Sequence, residues 1–287
     1  MRADLHSHST ASDGTCAPAD VMQRARAAGL DVIALTDHDT VAGHQEAREA
    51  LPPGLTLVPG IELSCRLDSR SVHMLGYLFD PADRELAAEC ASIRASRLRR
   101  AQAMVERLAE LGVPVTWEQV RAIAGDGVVG RPHVARAMVE AGVIESPEQA
   151  FGPDWIGPGG RAHVARYALH PARAIELIRA AGGVPVLAHP RAAARGWAIP
   201  DALIADLAAA GLAGVEVWHP DQDAAQRIRL QALAASLGLV ASGGSDDHGE
   251  LTGYRIGSDT IAPDACVRLL SQATGSAPVS GRLPPAR

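Results

Sequence analysis

Lysine is absent from this chain of 287 residues, and aromatic side chains make up only 3% of it. All 27 basic residues are arginines, so any cationic side chain that contacts a phosphate must present a planar, fork-shaped guanidinium. With few aromatic rings, a core has to be filled by leucine, valine, isoleucine and alanine, and the hydrophobic content of 47% is sufficient for this. The formal net charge of −6 argues against a general polyanion-binding surface, so we expect no duplex DNA partner.

Paired cysteines and long apolar runs are also missing. Cys16, Cys65, Cys90 and Cys266 lie far apart and form no CxxC pair, which favours scattered, reduced thiols in a cytoplasmic protein. A histidine motif begins at residue 4, so we expect no signal peptide before it. No apolar run approaches the roughly 18 residues needed to cross a bilayer, so we expect no membrane partner.

Histidines and carboxylates recur after short apolar segments along the whole chain. In chain order they read DLHSHSTASDG at 4–14, TDHD at 36–39, GIE at 60–62, a single histidine at 73, AHP at 188–190 and GGSDDH at 243–248. Taken singly, each is more typical of a turn or a hydrogen-bonded loop. Taken together, these metal-preferring side chains indicate a multi-metal site. The candidate ligands are His6, His8, Asp13, His38, Glu62, His73, His189, Asp246 and His248.

The order of predicted elements indicates an α/β barrel with an insertion. Strands and helices alternate over 1–94 and again over 169–274, and repeated strand–helix units predict a parallel sheet closed as a barrel. The pattern over 95–168 is all-helical, and 275–287 is rich in Pro, Gly and Ser, so we expect a flexible tail there. Thr15 is expected to cap the first helix.

The barrel also predicts where the candidate ligands lie. Parallel barrels carry their active sites at the carboxyl ends of the strands, where we expect all these side chains. Residues two apart in a strand share a face, so His6 and His8 can bind one cation. No thiolate belongs to the set, which suits Mn²⁺, Fe²⁺ or Zn²⁺.

The ordered motifs resemble those of the PHP family, named for polymerase and histidinol phosphatase, over the whole chain except its tail. The resemblance implies a distorted (β/α)7 barrel with a small all-helical insertion domain that acts as a substrate lid. It also implies two to three divalent ions, with Mn²⁺ preferred. In the implied assignment, the first metal is held by His6, His8, Glu62 and Asp246, the second by Glu62, His73 and His189, and the third by Asp13, His38 and His248.

Substrate contacts are implied by two further segments. The run GRPHVAR at 130–136 resembles a segment of the PHP subgroup with helical insertions, which implies that Arg131 and His133 bind a substrate phosphate at a helix start. His219 resembles a histidine that this subgroup carries in an EVxHP segment, and we expect it to contact substrate phosphate or an exchangeable water. The arginine run at 94–100 is expected to be a solvated helix face.

The resemblance implies a hydrolase of phosphoric esters that uses metal-activated hydroxide and no covalent nucleophile. The expected substrate is small and phosphorylated, either a 3′,5′-bisphosphonucleotide or the 5′ end of a short RNA. Asp37 and Asp39 flank His38 and are expected to orient ligands, although Asp39 could equally cap a helix.

Three alternatives are weighed against this function. A cyclic sugar phosphate phosphodiesterase stays open as a related activity. Gln222 and the segment 160–163 depart from the subgroup pattern on the expected substrate side, which leaves the exact substrate open. The helical insertion argues against a histidinol-phosphate phosphatase. The complete ligand set argues against a non-catalytic PHP module.

Overall fold

The computed structural model describes residues 1–68, 70–125, 129–165, 167–192 and 197–281. The chain divides into two compact units, one formed by Met1–Glu89 with Leu169–Arg287 and the other by Cys90–Ala168. Within the described residues, no helix combines the length and the apolar character that a membrane span requires.

The first unit contains a nearly closed barrel in which each strand pairs with its neighbours in the sequence. Its strands are β1 (Ala3–Asp4), β2 (Val32–Leu35), β3 (Thr56–Leu67), β4 (Arg70–Tyr77), β5 (Val184–Leu187), β6 (Gly214–Trp218) and β7 (Val240–Gly243). Backbone hydrogen bonds from Leu5 N to Gly243 O (3.2 Å) and from Asp246 N to His6 O (2.9 Å) join the end of β7 to the end of β1. The predicted α/β barrel is therefore confirmed.

Strand β4 departs from the expected parallel sheet. It runs antiparallel to both β3 and β5, whereas the pairs β1–β2, β2–β3, β5–β6 and β6–β7 are parallel. The reason is the short connection between Leu67 and Arg70, which permits a hairpin but is far too short for the crossover that parallel neighbours require. This hairpin is the distortion of the barrel.

Helices follow most of the strands, and five of the helices in the described residues lie between β4 and β5. They are α1 (Pro18–Ala27), α2 (His44–Glu49), α3 (Arg84–Glu110), α4 (Trp117–Ala124), α5 (Arg131–Glu140), α6 (Pro147–Ala150), α7 (Pro171–Ala180), α8 (Asp201–Ala209), α9 (Ala224–Ser236) and α10 (Pro263–Leu270). The expectation that Thr15 caps α1 is wrong, because Ala17 occupies the N-cap position and Pro18 begins the helix. Thr15 Oγ1 instead accepts a hydrogen bond from Glu250 N at 2.8 Å.

The end of the chain is more ordered than expected. Val279 and Ser280 form a short strand, β8, which pairs antiparallel with Leu57 and Thr56 of β3. Gly281 N also donates to Leu55 O at 2.9 Å. A flexible tail is therefore wrong for this part of 275–287, because β3 offers free backbone groups on that side, and residues 282–287 lie outside the described part of the chain.

Both faces of the barrel strands are buried, as expected for strands covered by helices. In β2, Val32 and Ala34 pack in one apolar cluster with residues of other strands, while Ile33 packs in a second cluster with Met22 of α1. The second unit has an apolar core of its own, which includes Met104 and other fully buried side chains of α3 to α6. The first unit thus provides a rigid frame for the loops at its strand ends.

Candidate metal centre

Every candidate metal ligand lies in the first unit, on the loops after the strands or on the β3–β4 hairpin. His6, His8 and Asp13 follow β1, His38 follows β2, His189 follows β5, and Asp246 and His248 follow β7. Glu62 and His73 lie within β3 and β4, which differs from the expected position past a strand end. Since β2 pairs with β3 only as far as Pro59, Glu62 comes just beyond the parallel part of β3.

One group of four buried side chains brings its polar atoms to a common point. These residues are His6, His8, Glu62 and Asp246. The Nε2 atoms of His6 and His8 are 3.1 Å apart, and each is 3.2 Å from Asp246 Oδ1. Glu62 Oε2 is 3.3 Å from the first of these nitrogens and 3.1 Å from the second. A tetrahedral cation about 2.0 Å from its ligands needs ligand atoms about 3.3 Å apart, so this group fits one cation.

The two carboxylate oxygens of Glu62 face different imidazoles. Oε2 faces the first group and also lies 3.2 Å from His38 Nδ1. Oε1 lies 2.7 Å from His73 Nδ1 and 3.0 Å from His189 Nε2. One buried carboxylate is thus shared between two sets of imidazoles, which is the arrangement of a bridging ligand.

A further group surrounds Asp13 at the outer side of the cluster. Asp13 lies 3.4 Å from His248 Nε2, 3.8 Å from His8 Nδ1 and 3.9 Å from His38 Nε2. The rings of His8 and His248 are stacked with centroids 4.0 Å apart. His8 and His38 therefore face two groups each, one with each ring nitrogen, a connection that spacing in the sequence does not show.

Mutual charge stabilisation dominates the protonation of the cluster. Burial raises the pKa of Glu62, but the positive charges of His38, His73 and His6 outweigh burial and hold this pKa well below its usual range. Burial lowers the pKa of His8, but hydrogen bonds to Asp246 and Glu62 outweigh it and raise the pKa to about 10. Protons therefore occupy the places between imidazoles and carboxylates that a cation would take.

A buried polar atom supports the same interpretation. His8 Nδ1 is buried and forms no hydrogen bond of acceptable geometry to another described residue. Buried polar atoms normally have a partner, and a cation supplies one. Imidazole nitrogens and carboxylate oxygens suit divalent transition metals, so the residues present fit the metal ions that the sequence implies.

Asp37 and Asp39 fix the loops that carry the ligands. Asp37 accepts hydrogen bonds from Ser9 N (2.8 Å), Ser9 Oγ (2.7 Å) and Ser12 Oγ (2.6 Å), which fastens the loop between His8 and Asp13. Asp39 accepts from Ser64 N at 2.7 Å and from Ser64 Oγ at 2.8 Å. The alternative role of Asp39 as a helix cap is wrong, because Gly43 is the N-cap of α2.

The backbone is strained at two of the candidate ligands. His189 has φ 29° and Asp246 has φ 50°, values that side-chain-bearing residues rarely adopt. Such conformations cost about 1–3 kcal/mol each and persist where the surrounding structure holds them, often at functional sites. Gly244 lies so close to His6 that an added Cβ would be 2.5 Å from the His6 Cβ, so a side chain at 244 would displace a ligand.

Three buried or half-buried charged residues around the cluster were not expected from the motifs. Asp4 accepts hydrogen bonds from Ser245 N (2.9 Å) and Gly257 N (2.8 Å), and burial raises its pKa to about 6. Arg255 donates to Asp246 O at 3.1 Å. Glu216 is fully buried in the middle of β6. An acidic residue inside the apolar run GVEVW was the available signal for Glu216.

His219 lies beside the candidate ligand Asp246. It is fully buried, its Nδ1 accepts a hydrogen bond from Asp221 N (3.1 Å), and its Nε2 lies 3.2 Å from Asp246 Oδ2. Because Nδ1 is an acceptor, the proton of the neutral ring is on Nε2 and is donated to Asp246. His219 thus contacts a candidate ligand, and its expected contact with substrate phosphate or an exchangeable water stays a prediction.

In the second unit, His133 helps to begin α5. Its Nδ1 accepts a hydrogen bond from Gly130 N at 3.0 Å, which satisfies a backbone group at the helix start. The neighbouring Arg131 has its guanidinium 5.4 Å from the centre of the Phe151 ring. Burial and the charge of Arg97 both lower the pKa of Arg131.

The arginine run of α3 is not uniformly solvated. Arg97 and Arg100 are only 8% and 7% exposed, so the expectation of a solvated face is wrong for these two, whereas Arg99 is exposed. Positions three or four apart lie on the same face of a helix, so 97 and 100 share a face with the core residue Met104. Several positive charges are thus collected within the second unit.

Comparison with known proteins gives consistent results. The sequence model of the PHP domain matches residues 4–114. The chain is 39% identical to a 5′-3′ exoribonuclease of Haemophilus influenzae over 247 residues, covering 85% of this chain and 89% of the relative. It is 34% identical to a 3′,5′-nucleoside bisphosphate phosphatase of Chromobacterium violaceum over 266 residues, covering 92% and 93%.

A solved structure agrees over nearly the full length. A crystal structure of a candidate metal-dependent phosphoesterase from Bifidobacterium adolescentis superposes with a TM-score of 0.87 at 36% identity, covering 95% of this chain and 96% of that one. The barrel, the cluster and these relatives define a metal-dependent hydrolase of phosphoric esters. Within that class, the chain belongs to the PHP family.

Proposed function

We propose that this enzyme removes phosphate from nucleotides that carry both 3′ and 5′ phosphates, or acts at the 5′ end of short RNA. The observation that carries the proposal is the position of Glu62, whose two oxygens lie between 2.7 and 3.3 Å from five imidazoles. A carboxylate shared in this way suits a centre of two to three divalent cations, with Mn²⁺ preferred. The names of the two curated relatives supply the substrate class.

The proposed ligand sets follow the three-metal assignment, and the geometry shows in addition that two of the imidazoles each face two groups. His8 faces both the first group and the Asp13 group, and His38 faces both Asp13 and Glu62. In the proposal the first cation is held by His6, His8, Glu62 and Asp246, the second by Glu62, His73 and His189, and the third by Asp13, His38 and His248.

Bound divalent cations in such a centre activate water and neutralise charge on phosphoryl oxygens. The residues of the chain fix the geometry of this reaction. Asp37 and Asp39 hold the loops on either side of His38, and His219 and Arg255 hold Asp246. Because these supports are buried or half-buried and hydrogen bonded, the ligands are placed in advance, and little reorganisation is needed when a phosphate arrives.

Recognition of the second phosphate is proposed for Arg131 in the insertion at 95–168. Arg131 begins α5, where the helix dipole favours an anion. A second positive charge lies nearby, because Arg97 lowers the pKa of Arg131. Burial lowers the pKa of His163, and the charges of Arg131, Arg100 and Arg107 lower it further. Positive charge is therefore concentrated around His163. Guanidinium groups gathered at a helix start suit a phosphate group of a bisphosphonucleotide or an RNA end. His133 contributes by fixing the start of α5.

A substrate panel tests the proposed function directly. The Mn²⁺-loaded enzyme should release phosphate from a nucleoside 3′,5′-bisphosphate or shorten a 5′-phosphorylated RNA oligomer, followed by phosphate release and product length. A cyclic sugar phosphate and histidinol phosphate complete the panel. Turnover of either of these two alone would contradict the proposed substrate class and support the corresponding alternative.

The variant Arg131→Ala, assayed with the same substrates, tests the proposed role of Arg131 in binding phosphate. We expect a KM for the bisphosphate raised about tenfold or more, because a charge-assisted contact to phosphate is lost, with unchanged metal content. Arg99→Ala removes an exposed arginine from α3 and is the matched control, expected to behave as the wild type. A fall in metal content in Arg131→Ala would show that this residue does not act on the substrate.

The cytoplasmic location stays a prediction.

A further inference from the structure

Glu216 is a buried carboxylate that the reaction as described above does not use. It lies in the middle of β6 between Val215 and Val217, both fully buried, and is itself 1% exposed. A charge in such a strand is costly unless it is fully hydrogen bonded or paired. An apolar residue would fill the same place in a packed strand at lower cost, so the contacts of this carboxylate call for an explanation.

Its two oxygens contact two different ligand loops. Oε1 lies 3.1 Å from His6 Nδ1, after β1, and Oε2 accepts a hydrogen bond from the backbone N of His189, after β5, at 2.8 Å. These two histidines are proposed ligands of different cations, because His6 Nε2 faces Asp246 while His189 Nε2 faces Glu62 Oε1. Glu216 therefore contacts one histidine of each set through atoms that do not face the proposed cations, whereas the Glu62 carboxylate faces both cations.

The contact with His6 also decides which ring nitrogen is available. A carboxylate at Nδ1 can only accept a hydrogen bond, so the proton of the neutral imidazole is held on Nδ1. Nε2 then presents its lone pair to the point shared with His8, Glu62 and Asp246. This is the relation by which a second carboxylate orients a metal-binding histidine.

The contact with His189 acts on the backbone rather than on the ring. His189 has φ 29°, a conformation that residues with a side chain rarely adopt. The hydrogen bond from its N–H to Glu216 Oε2 holds this turn, and Gln222 Nε2 in turn donates to Glu216 O at 3.1 Å and Val217 O at 2.9 Å. The turn sets the direction in which the His189 ring leaves the barrel.

We propose that Glu216 is a positioning residue that fixes the tautomer of His6 and the backbone turn of His189, and thereby preorganises two neighbouring cation sites at once. The inference rests on the ligand sets of the proposed function. Replacement by glutamine separates this role from space filling, because an amide offers one oxygen and one NH₂ group. Whichever way the amide turns, either His6 Nδ1 or the N–H of His189 loses its acceptor.

The test compares Glu216→Gln with the wild type and with Glu176→Gln, an exposed residue of α7 that serves as the matched control. Calorimetric titration of the metal-free proteins with Mn²⁺ should show an affinity about 10–100-fold lower in Glu216→Gln and unchanged in the control. Nitrogen NMR of Zn²⁺-loaded protein with labelled histidine should show His6 protonated at Nδ1 in the wild type.

The outcomes separate this inference from the proposed function. Wild-type affinity in Glu216→Gln, or a wild-type His6 that binds zinc through Nδ1, would overturn the inference while leaving the phosphoesterase activity in place. A wild type that binds Mn²⁺ but turns over nothing in the panel would overturn the substrate class alone. If Glu216→Gln fails to fold, the NMR assignment of His6 in the wild type still decides, and Glu216→Asp, which keeps the charge but shortens the reach, should bind Mn²⁺ more weakly than the wild type.

Discussion

At the scale of single residues, protons and cations compete for the same places in this protein. The hydrogen bonds and charges of Asp246 and Glu62 outweigh burial and raise the pKa of His8 to about 10. Burial lowers the pKa of His6, but the charges of Asp246, Glu216 and Glu62 leave it well above its ordinary value. Both imidazoles are therefore protonated at neutral pH in the metal-free protein. The stabilising contribution of protonated His8 is complete below about pH 6.5 and is lost as the pH rises through its pKa of about 10.

Metal binding should consequently release protons. At pH 7.5 we expect about one to two protons per chain to leave when Mn²⁺ fills the first group, since His6 and His8 must be neutral to bind a cation. Calorimetric titrations in two buffers with different enthalpies of ionisation measure this number. Binding without proton release would contradict the assignment of these two histidines as ligands.

At the scale of elements, the loop after β1 is held by a carboxylate that is not itself a proposed ligand. Asp37, at the end of β2, fastens the loop after β1 through Ser9 and Ser12. That loop carries Asp13, which links His248, His8 and His38. A residue that follows β2 thus sets the position of a candidate ligand that follows the neighbouring strand β1.

Asp37→Asn should loosen this loop selectively. The amide has one acceptor oxygen in place of two, so at least one of the three hydrogen bonds is lost, and we expect the affinity of the proposed Mn²⁺ site at Asp13 to fall about 10–100-fold. Metal content measured after dialysis against limiting Mn²⁺ reports the change. Asp20→Asn, on the exposed face of α1, is the matched control. An equal loss at every site would indicate general unfolding instead of a local effect.

At the scale of the whole molecule, the two compact units have separate apolar cores. Met22 packs in the barrel unit and Met104 in the insertion, and both side chains are fully buried. Because all candidate ligands lie in the barrel unit, metal binding should stabilise that unit, by about 2.7 kcal/mol at a free metal concentration 100 times Kd.

A matched pair of substitutions tests this division. Met104→Ala should lower the stability of the segment 90–168 by about 2–5 kcal/mol and leave Mn²⁺ affinity unchanged, whereas Met22→Ala should destabilise the barrel unit by a similar amount. Hydrogen exchange followed by mass spectrometry assigns the loss of protection to each segment. Loss of protection throughout the barrel in Met104→Ala would show that the two cores do not behave independently.

Much of the fold could be predicted from local pattern. The alternation of strands and helices over 1–94 and 169–274 and the helical pattern over 95–168 could be predicted because hydrophobic periodicity is a local property. The antiparallel β4 was missed, since strand direction depends on the length of the connection at 68–69 and on pairing with β5. The burial of Arg97 and Arg100 was missed for a similar reason, because a charged helix face looks solvated until its neighbours are known.

The sequence by itself determined the chemistry that the centre offers: nine candidate nitrogen and oxygen ligands in ordered motifs, no thiolate among them, and arginine as the only cationic side chain besides histidine. Ligand type is a property of single residues and needs no fold to be recognised. Tertiary structure alone decided that Glu62 faces five imidazoles, that His219 stands behind Asp246, and that Glu216 joins His6 to His189. Those contacts join residues more than one hundred positions apart in several cases, and only closure of the barrel brings their strand ends together.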